Sequence, residues 1–412
     1  MSAVSYEAVC GALDLRRRVS LGFERIEALF HLLGDPQRSL RVVQVVGTNG
    51  KGTTAIALAT ALEAAGKTTG TYLSPHVLSY TERVILRGSY VSEKEFAAAM
   101  REAIEVADGN EVPATQFELL TAGALKMFRD AGLEWAVLEA GLGARHDATS
   151  AAEPETVVLT NVGLDHTEYL GDTVEEITEE KLASLKSGAT LVLGTDDPRM
   201  VGVARDTATR VGARLVEHEA SGDLYFGAGE IPYLARNERL GVRVAEVLLG
   251  RPLQRDEREA ALKLARAARP PARFEVHEVR GAPVVVDGSH NPEGLRAALE
   301  AVRVRYGDCP LGVVFGALKE KDVGSMLNDL ERVAHVLVLT RPEFTDGRVL
   351  DPGQVEEEYG PKDAKGRRAL VTSDAGRALR AVVGEMEKTG GVVLVTGSLY
   401  MGAGALGWLR GR

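Results

Sequence analysis

The chain's 412 residues, 45% of them hydrophobic, suffice for two or three cores at about 150 residues each. Its 49 Lys and Arg against 59 Asp and Glu leave a formal charge of −10, which excludes a broad basic face for wrapping nucleic acid or docking on anionic lipid while allowing local phosphate pockets. The two cysteines, Cys10 and Cys309, stand far apart in no Cys/His spacing, which excludes a disulfide scaffold or structural zinc. The N-terminus lacks the basic-then-apolar order of a signal peptide and no apolar run approaches ~18 residues, so a cytoplasmic protein is expected.

Apolar runs alternate with helical periodicity along almost the whole length, which predicts an α/β fold with a largely parallel sheet. The run RVVQVV over 41–46 reads as a buried strand. It leads through Gly47-Thr48-Asn49-Gly50-Lys51-Gly52 into 53–65, rich in Ala and Leu and predicted helical. Further strands are predicted at 135–140, 157–162 and 191–194. Consecutive prolines near 266–271 mark a linker. Beyond it, strands at 283–286, 311–315, 336–339 and 392–395 alternate with helices at 292–304, 322–333 and 374–386, a doubly wound, Rossmann-like pattern. The tract 342–368 reads as a charged surface loop with some helix. Two domains are therefore expected, 1–267 and 268–412.

The strongest local signal is Gly47-Thr48-Asn49-Gly50-Lys51-Gly52-Thr53-Thr54 between strand and helix. Glycines let backbone N–H groups approach phosphate oxygens, the helix N-terminus adds positive potential, and Lys51 can bridge the β and γ phosphates. The strict P-loop spacing is not met, because Val45 stands at its first glycine and Gly52 follows the lysine; the alternative is a structural turn. Glu139 ends a predicted strand, where open α/β sheets present ligands. It is either a Mg²⁺ ligand or an ordinary charge. Lys181, among Glu179 and Glu180, reads on its own as a solvated lysine paired with acids. Asp287 and His290 follow a strand and precede a helix opening at Pro292, at the ligand-binding edge of the second sheet or in a structural Asn-Pro turn.

GTNGKGTT resembles the ATP loop of folylpolyglutamate synthases and dihydrofolate synthases, members of the Mur ligase superfamily. Further matches follow in the same order: Ser74-Pro75-His76, Tyr80-Thr81-Glu82-Arg83-Val84, Thr115-Gln116-Phe117-Glu118, the run from Leu138 to Thr149 (LEAGLGARHDAT) and Asn161-Val162-Gly163-Leu164-Asp165-His166. After the linker come Pro271-Ala272-Arg273-Phe274-Glu275, Asp287-Gly288-Ser289-His290-Asn291-Pro292, Phe315-Gly316-Ala317-Leu318-Lys319-Glu320-Lys321-Asp322 and Thr396-Gly397-Ser398-Leu399-Tyr400. The resemblance spans about 20–404. It implies a large P-loop ATPase-like domain of the Mur central type and a smaller glutamate-ligase domain.

The resemblance also implies roles. Thr48, Asn49, Gly50, Lys51, Gly52, Thr53 and Thr54 would hold the phosphates of ATP, with Asn237 on the adenine side and Arg273 and Asp287 contacting ATP from the second domain. Ser74 and Glu139 would hold one Mg²⁺ and His166 a second, although magnesium prefers oxygen ligands. Lys181 would be carbamylated and support the second metal through water. His290 and Ser398 would place the incoming glutamate or the intermediate, and with Lys51 and Lys181 they form the catalytic set. The pterin-bearing substrate would lie against Thr115, Gln116, Phe117, Glu118, His146, Asp147 and Ala148. There Phe117 could stack on the heterocycle or belong to the core, and Glu118 or Asp147 could accept hydrogen bonds from its amino groups.

This chain departs from the family pattern at several small positions. Ala140, Ala144, Ala272 and Ser289 replace Val, Gly, Gly and Ala. Ser150 stands where Asn commonly follows Asp-Ala-Thr, and Leu234-Ala235-Arg236 replaces the segment carrying a His-Gln pair before Asn237.

The expected activity is an ATP-dependent amide ligase that adds L-glutamate to tetrahydrofolate, and also to dihydropteroate, through an acyl phosphate. The implied partners are the folate or dihydropteroate and L-glutamate, with no nucleic acid and no membrane, and a monomer is expected. The alternatives are a Mur-type ligase acting on a UDP-muramyl substrate and a nucleotide-gated binding protein without ligase activity.

Overall fold

The computed structural model describes residues 5–217, 229–342 and 347–411. Residues 343–346 of the predicted charged tract lie outside them. Contacts divide the chain into two units, Met1–Asp223 with Arg236–Arg269, and Leu224–Ala235 with Pro270–Arg412.

The first unit is built on an eight-stranded sheet of β1 (Arg41–Val46), β2 (Thr69–Tyr72), β3 (Val84–Leu86), β4 (Ser89–Tyr90), β5 (Trp135–Glu139), β6 (Thr156–Leu159), β7 (Thr190–Leu193) and β8 (Arg214–Val216), in the order β4-β3-β2-β5-β1-β6-β7-β8. All neighbours run parallel except the β2–β3 and β3–β4 pairs. β1 lies between β5 and β6 and is buried along all but its first residue. Because successive strand residues face opposite sides, Val43 and Val45 pack with the helix Lys51–Ala64, while Val42, Gln44 and Val46 face the other layer. That helix is buried from Thr53 to Leu62, as expected of one that is apolar all round. The helix Arg255–Ala267 covers part of it, and the helix Pro232–Leu249 crosses it at Gly241. A Cβ there would stand 2.6 Å from backbone atoms of Thr54 and Leu58, so only glycine permits the approach.

The second unit holds β9 (Glu275–Val279), β10 (Ala282–Val286), β11 (Leu311–Phe315), β12 (Ala334–Leu339), β13 (Leu370–Val371) and β14 (Val392–Thr396), ordered β13-β12-β11-β14-β10-β9 with only β9 antiparallel. Strands β10, β11 and β14 are buried apolar runs, and helices Pro292–Tyr306, Val323–Glu331 and Ala375–Thr389 alternate with them. Two sheets with helices between strands are the α/β architecture read from the sequence. The predicted strand at 157–162 ends at Leu159, because Thr160 and Asn161 turn away to bind the loop after β1. The short strands β2, β3, β4, β8, β9 and β13 lack a long apolar run and are not among the elements predicted from the sequence.

Candidate active site

In a parallel sheet, loops leave the carboxyl ends of adjacent strands on the same edge. The order β2-β5-β1-β6 therefore brings together Ser74, two residues past β2, Glu139 at the end of β5, the glycine loop after β1, and the segment 160–166 after β6. The loop is tied down from the β6 side. Asn161 accepts from Thr48 N–H through its backbone oxygen and from Asn49 N–H through Oδ1, both at 2.9 Å. Thr160 Oγ1 donates to Asn49 O at 2.7 Å, and Thr48 Oγ1 exchanges hydrogen bonds with Gly163. Gly50 turns the chain into the helix at φ 83°, a left-handed conformation that suits glycine. A Cβ on Gly50 would lie 2.5 Å from Asn237 Nδ2, so the structure brings Asn237 to the loop itself.

The loop fits a nucleotide and a hard cation on two observations. Thr54 Oγ1 is buried and makes no hydrogen bond among the described residues, leaving a hydroxyl with capacity at the helix N-terminus. A Cβ on Gly52 would stand 3.1 Å from Glu139 Oε2, so glycine keeps open the space between helix start and carboxylate. The same carboxylate oxygen accepts Ser74 N–H at 3.0 Å. Oxygen donors of this kind suit Mg²⁺. Among the described residues no three His, Cys, Asp or Glu side chains converge; a cation here would complete its shell from phosphate and water. Lys51 lies against the loop, with Nζ donating to Thr48 O at 3.3 Å. His166 caps the short helix Thr167–Leu170 with a left-handed backbone, its Nε2 3.9 Å from Asp165.

Lys181 is the largest departure from its local appearance. It ends the helix Val174–Lys181 among acids, yet it is 5% exposed and its Nζ donates to Gly47 O at 3.0 Å. Burial, and secondarily the neighbouring Lys51 charge, pull its pKa down to about 7.

The substrate candidates occupy a second neighbourhood. Thr115 caps the helix Gln116–Asp130 and forms a capping box with Glu118. Glu118 also pairs with Arg25 at 3.0 Å, both side chains largely buried. Asp147 accepts Gly141 and Leu142 N–H on Oδ2, and Thr149 N–H and Oγ1–H on Oδ1. Both carboxylates thus have their lone pairs engaged inside the protein and set the shape of the segment. Phe117 is half-buried, 5.9 Å from the Tyr72 ring, and covers the Gly141 backbone. Gln116 donates to Tyr80 OH at 2.5 Å, His146 is exposed, and Ala148 is buried at the start of the 3₁₀ turn Ala148–Ala152.

In the second unit, the edge formed by β11, β14 and β10 carries the remaining candidates. Asp287, 4% exposed, accepts Tyr233 OH at 2.5 Å, Phe274 N–H and Ser289 N–H at 3.0 Å, and the Ser289 hydroxyl. His290 has Nδ1 3.1 Å from Gly288 O. Ser398, 1% exposed, caps the helix Leu399–Arg410 and donates to Gly316 O. Arg273 lies close to Gly288. Three supporting residues escape a reading of the sequence: Arg25, Tyr233 and Thr160. Each acts on a candidate distant in the chain, so none has a local signal, whereas Asn161 stands within a recognisable motif.

The Mur ligase middle domain matches residues 45–225 and the Mur ligase glutamate ligase domain matches 272–399. The fold is that of a Mur-type ligase. The chain is 32% identical to the dihydrofolate synthase/folylpolyglutamate synthase of Escherichia coli over 77% of this chain and 76% of that one. It superimposes on a Mycobacterium tuberculosis folylpolyglutamate synthase complexed with ADP at TM-score 0.88, with 27% identity over 99% and 98% of the two chains. It also superimposes on a Yersinia pestis bifunctional folylpolyglutamate synthase/dihydrofolate synthase complexed with AMPPNP and Mn at TM-score 0.83, with 28% identity over 99% and 98%. This chain belongs to the folylpolyglutamate synthase/dihydrofolate synthase family. The comparisons give no support to a UDP-muramyl ligase or a nucleotide-gated binding protein.

Proposed function

We propose that this chain is an ATP-dependent ligase that adds L-glutamate to tetrahydrofolate, building γ-linked polyglutamate, and that it also joins glutamate to dihydropteroate. The observation that carries this reading is the glycine loop after β1, with Lys51 against it and Gly52 beside the Glu139 carboxylate that Ser74 N–H holds. Amide formation from a carboxylate and an amine is uphill in water. The substrate carboxylate therefore takes the γ-phosphoryl group of ATP as an acyl phosphate. The glutamate amine then attacks the carbonyl carbon, and the tetrahedral intermediate expels phosphate and loses a proton, leaving amide, ADP and phosphate.

In this reading the first unit takes ATP and the pterin-bearing substrate, and the second takes glutamate. Backbone N–H groups from Gly50 to Thr53, at the start of the helix, and Lys51 Nζ bind phosphate oxygens. Ser74 and Glu139 would hold one Mg²⁺ and His166 a second, and the chemistry such cations would supply is neutralisation of phosphate charge. Lys181, with about half its population neutral near pH 7, is the amine fit to add CO₂ as a carbamate, releasing a proton. Phe117 offers its ring to the heterocycle. In the second unit, His290 and Ser398 position the amino acid, and Asp287 shapes the loop that carries His290. The enzyme acts as a cytoplasmic monomer. Among the described residues no helix is long and apolar enough to cross a membrane.

The test is ADP release with Mg-ATP and L-glutamate, comparing dihydropteroate, a reduced folate monoglutamate and no acceptor, with products weighed by mass spectrometry. Release with both acceptors is the expected result. Release with the folate alone makes the enzyme a polyglutamate synthase only, and no acceptor-dependent release from a protein that binds ATP overturns the reading.

A further inference from the structure

Gln44 is fully buried in the middle of β1, the strand that delivers the glycine loop three residues later. Its neighbours on the same face, Val42 and Val46, are apolar, so an amide there must find all its partners inside the protein or cost stability. It finds them in two distant segments. Nε2 donates to Thr149 Oγ1 at 2.7 Å and to Ser150 Oγ at 2.8 Å, and Oε1 accepts Ser184 Oγ–H at 2.6 Å. Thr149 in turn donates its hydroxyl proton to Asp147 at 2.5 Å, and Asp147 holds the Gly141 and Leu142 N–H groups just beyond Glu139. Ser184 lies in the turn after Lys181, whose Nζ returns to Gly47 O. The network therefore closes a ring: glycine loop, β1, Gln44, Ser184, Lys181, glycine loop. A branch runs to the 141–149 segment.

Ser150, which stands where Asn commonly follows Asp-Ala-Thr in the family pattern, belongs to this arrangement through its hydroxyl.

We infer that Gln44 is a positioning residue for the ligation site, its single buried amide holding the Lys181 segment and the loop after Glu139 in register with the glycine loop. Its effect on turnover rests on the ligase reading; its effect on the placement of Lys181 does not. The variant Gln44→Leu keeps a side chain of similar size and removes both the donor and the acceptor.

Two readouts separate this role from a merely structural one. In acceptor-dependent ADP release, Gln44→Leu is expected to lower kcat about 30-fold, with KM for ATP within about twofold, because the loop's own hydrogen bonds remain. Ser184→Ala is expected to lower kcat about threefold alone and to cause no further loss in the Gln44→Leu background, since both act through one amide. Independently of ligation, acetylation of Lys181 by acetic anhydride, followed by peptide mass spectrometry, should become about tenfold faster in Gln44→Leu and rise in Ser184→Ala, with the exposed Lys186 unchanged as the internal control. Unchanged Lys181 labelling in folded variants overturns the inference, whether or not the protein ligates glutamate. Additive kcat losses also overturn it. If Gln44→Leu does not fold, Ser184→Ala and Ser150→Ala carry both measurements.

Discussion

The two sheet edges differ in how their polar groups are occupied. On the first, the Thr54 hydroxyl is buried with no partner among the described residues, Lys51 reaches back to the loop it sits on, and the Lys181 amine is brought near neutrality by burial. On the second, Asp287 is filled by four donors and Ser398 both caps a helix and binds Gly316. A buried hydroxyl without a partner among the described residues occurs on both edges, at Thr54 and Thr340; what differs is that Asp287 and Ser398 on the second have committed their capacity to their own loops. A residue that matches a family motif can therefore act by touching substrate or by shaping the loop that does.

The sharpest test of this contrast is Lys51→Ala. It should cost several kcal/mol of transition-state stabilisation, about a thousandfold or more in kcat/KM, with a melting temperature near that of the parent; near-normal turnover breaks the assignment. Asp287→Ala should behave in the opposite way. It removes the acceptor of the buried Phe274 N–H and of the half-buried Tyr233 and Ser289 donors, so it should destabilise by about 2 kcal/mol in denaturant titration. A fully stable Asp287→Ala that has lost ATP affinity would erase the difference between the edges.

Lys181→Met sharpens the comparison through pH. The amine holds its proton less tightly when folded, at about 7, than when unfolded, near the ordinary lysine value of 10.5. Between those values folding releases a proton, so the stability of the parent rises as pH climbs from about 7 towards 10.5. At pH 6, below that value, where the folded lysine is charged, the variant should be more stable by about 1–4 kcal/mol, although it should lose most activity. The gain should shrink in urea titrations towards pH 10; a gain independent of pH would show that the buried charge is not its source.

The smallest expected effect is at Ala272, which holds φ 54° with its side chain buried. Ala272→Gly should relieve left-handed strain and change stability by less than about 1 kcal/mol in the stabilising direction, as read by denaturant titration. Its methyl group lies close to the Gly402 backbone, so part of the relief is offset by lost packing.

What can be read from the sequence is what is local. The β1 run, its glycine loop and the following helix are contiguous, and the doubly wound alternation of 283–395 needs no long-range information. Glu139 is recognisable as a strand end. The state of Lys181 is not, because the groups that bury it come from β1 and its loop, and its sequence neighbours are acids that suggest a solvated helix end. The carboxylates of Glu118 and Asp147 look available for a pterin because their partners, Arg25 and the backbone at 141–142, are invisible to a motif. Gln44 gives no signal at all: a glutamine within a valine run has meaning only once Thr149, Ser150 and Ser184, 105, 106 and 140 residues away, have closed on it.

Because β1 sits between β5 and β6, the order in which the chain is synthesised matters to the nucleotide site. The glycine loop is made early, yet the oxygens that hold it come from Asn161 and Gly163, the latter 115 residues from Thr48. While the ribosome is still extending the chain towards those residues, the loop has no wall to rest on. On the proposed function, nucleotide capture is thus deferred until most of the first unit has emerged, and a nascent chain stalled before β6 would carry the most recognisable motif of the protein without the contacts that shape it.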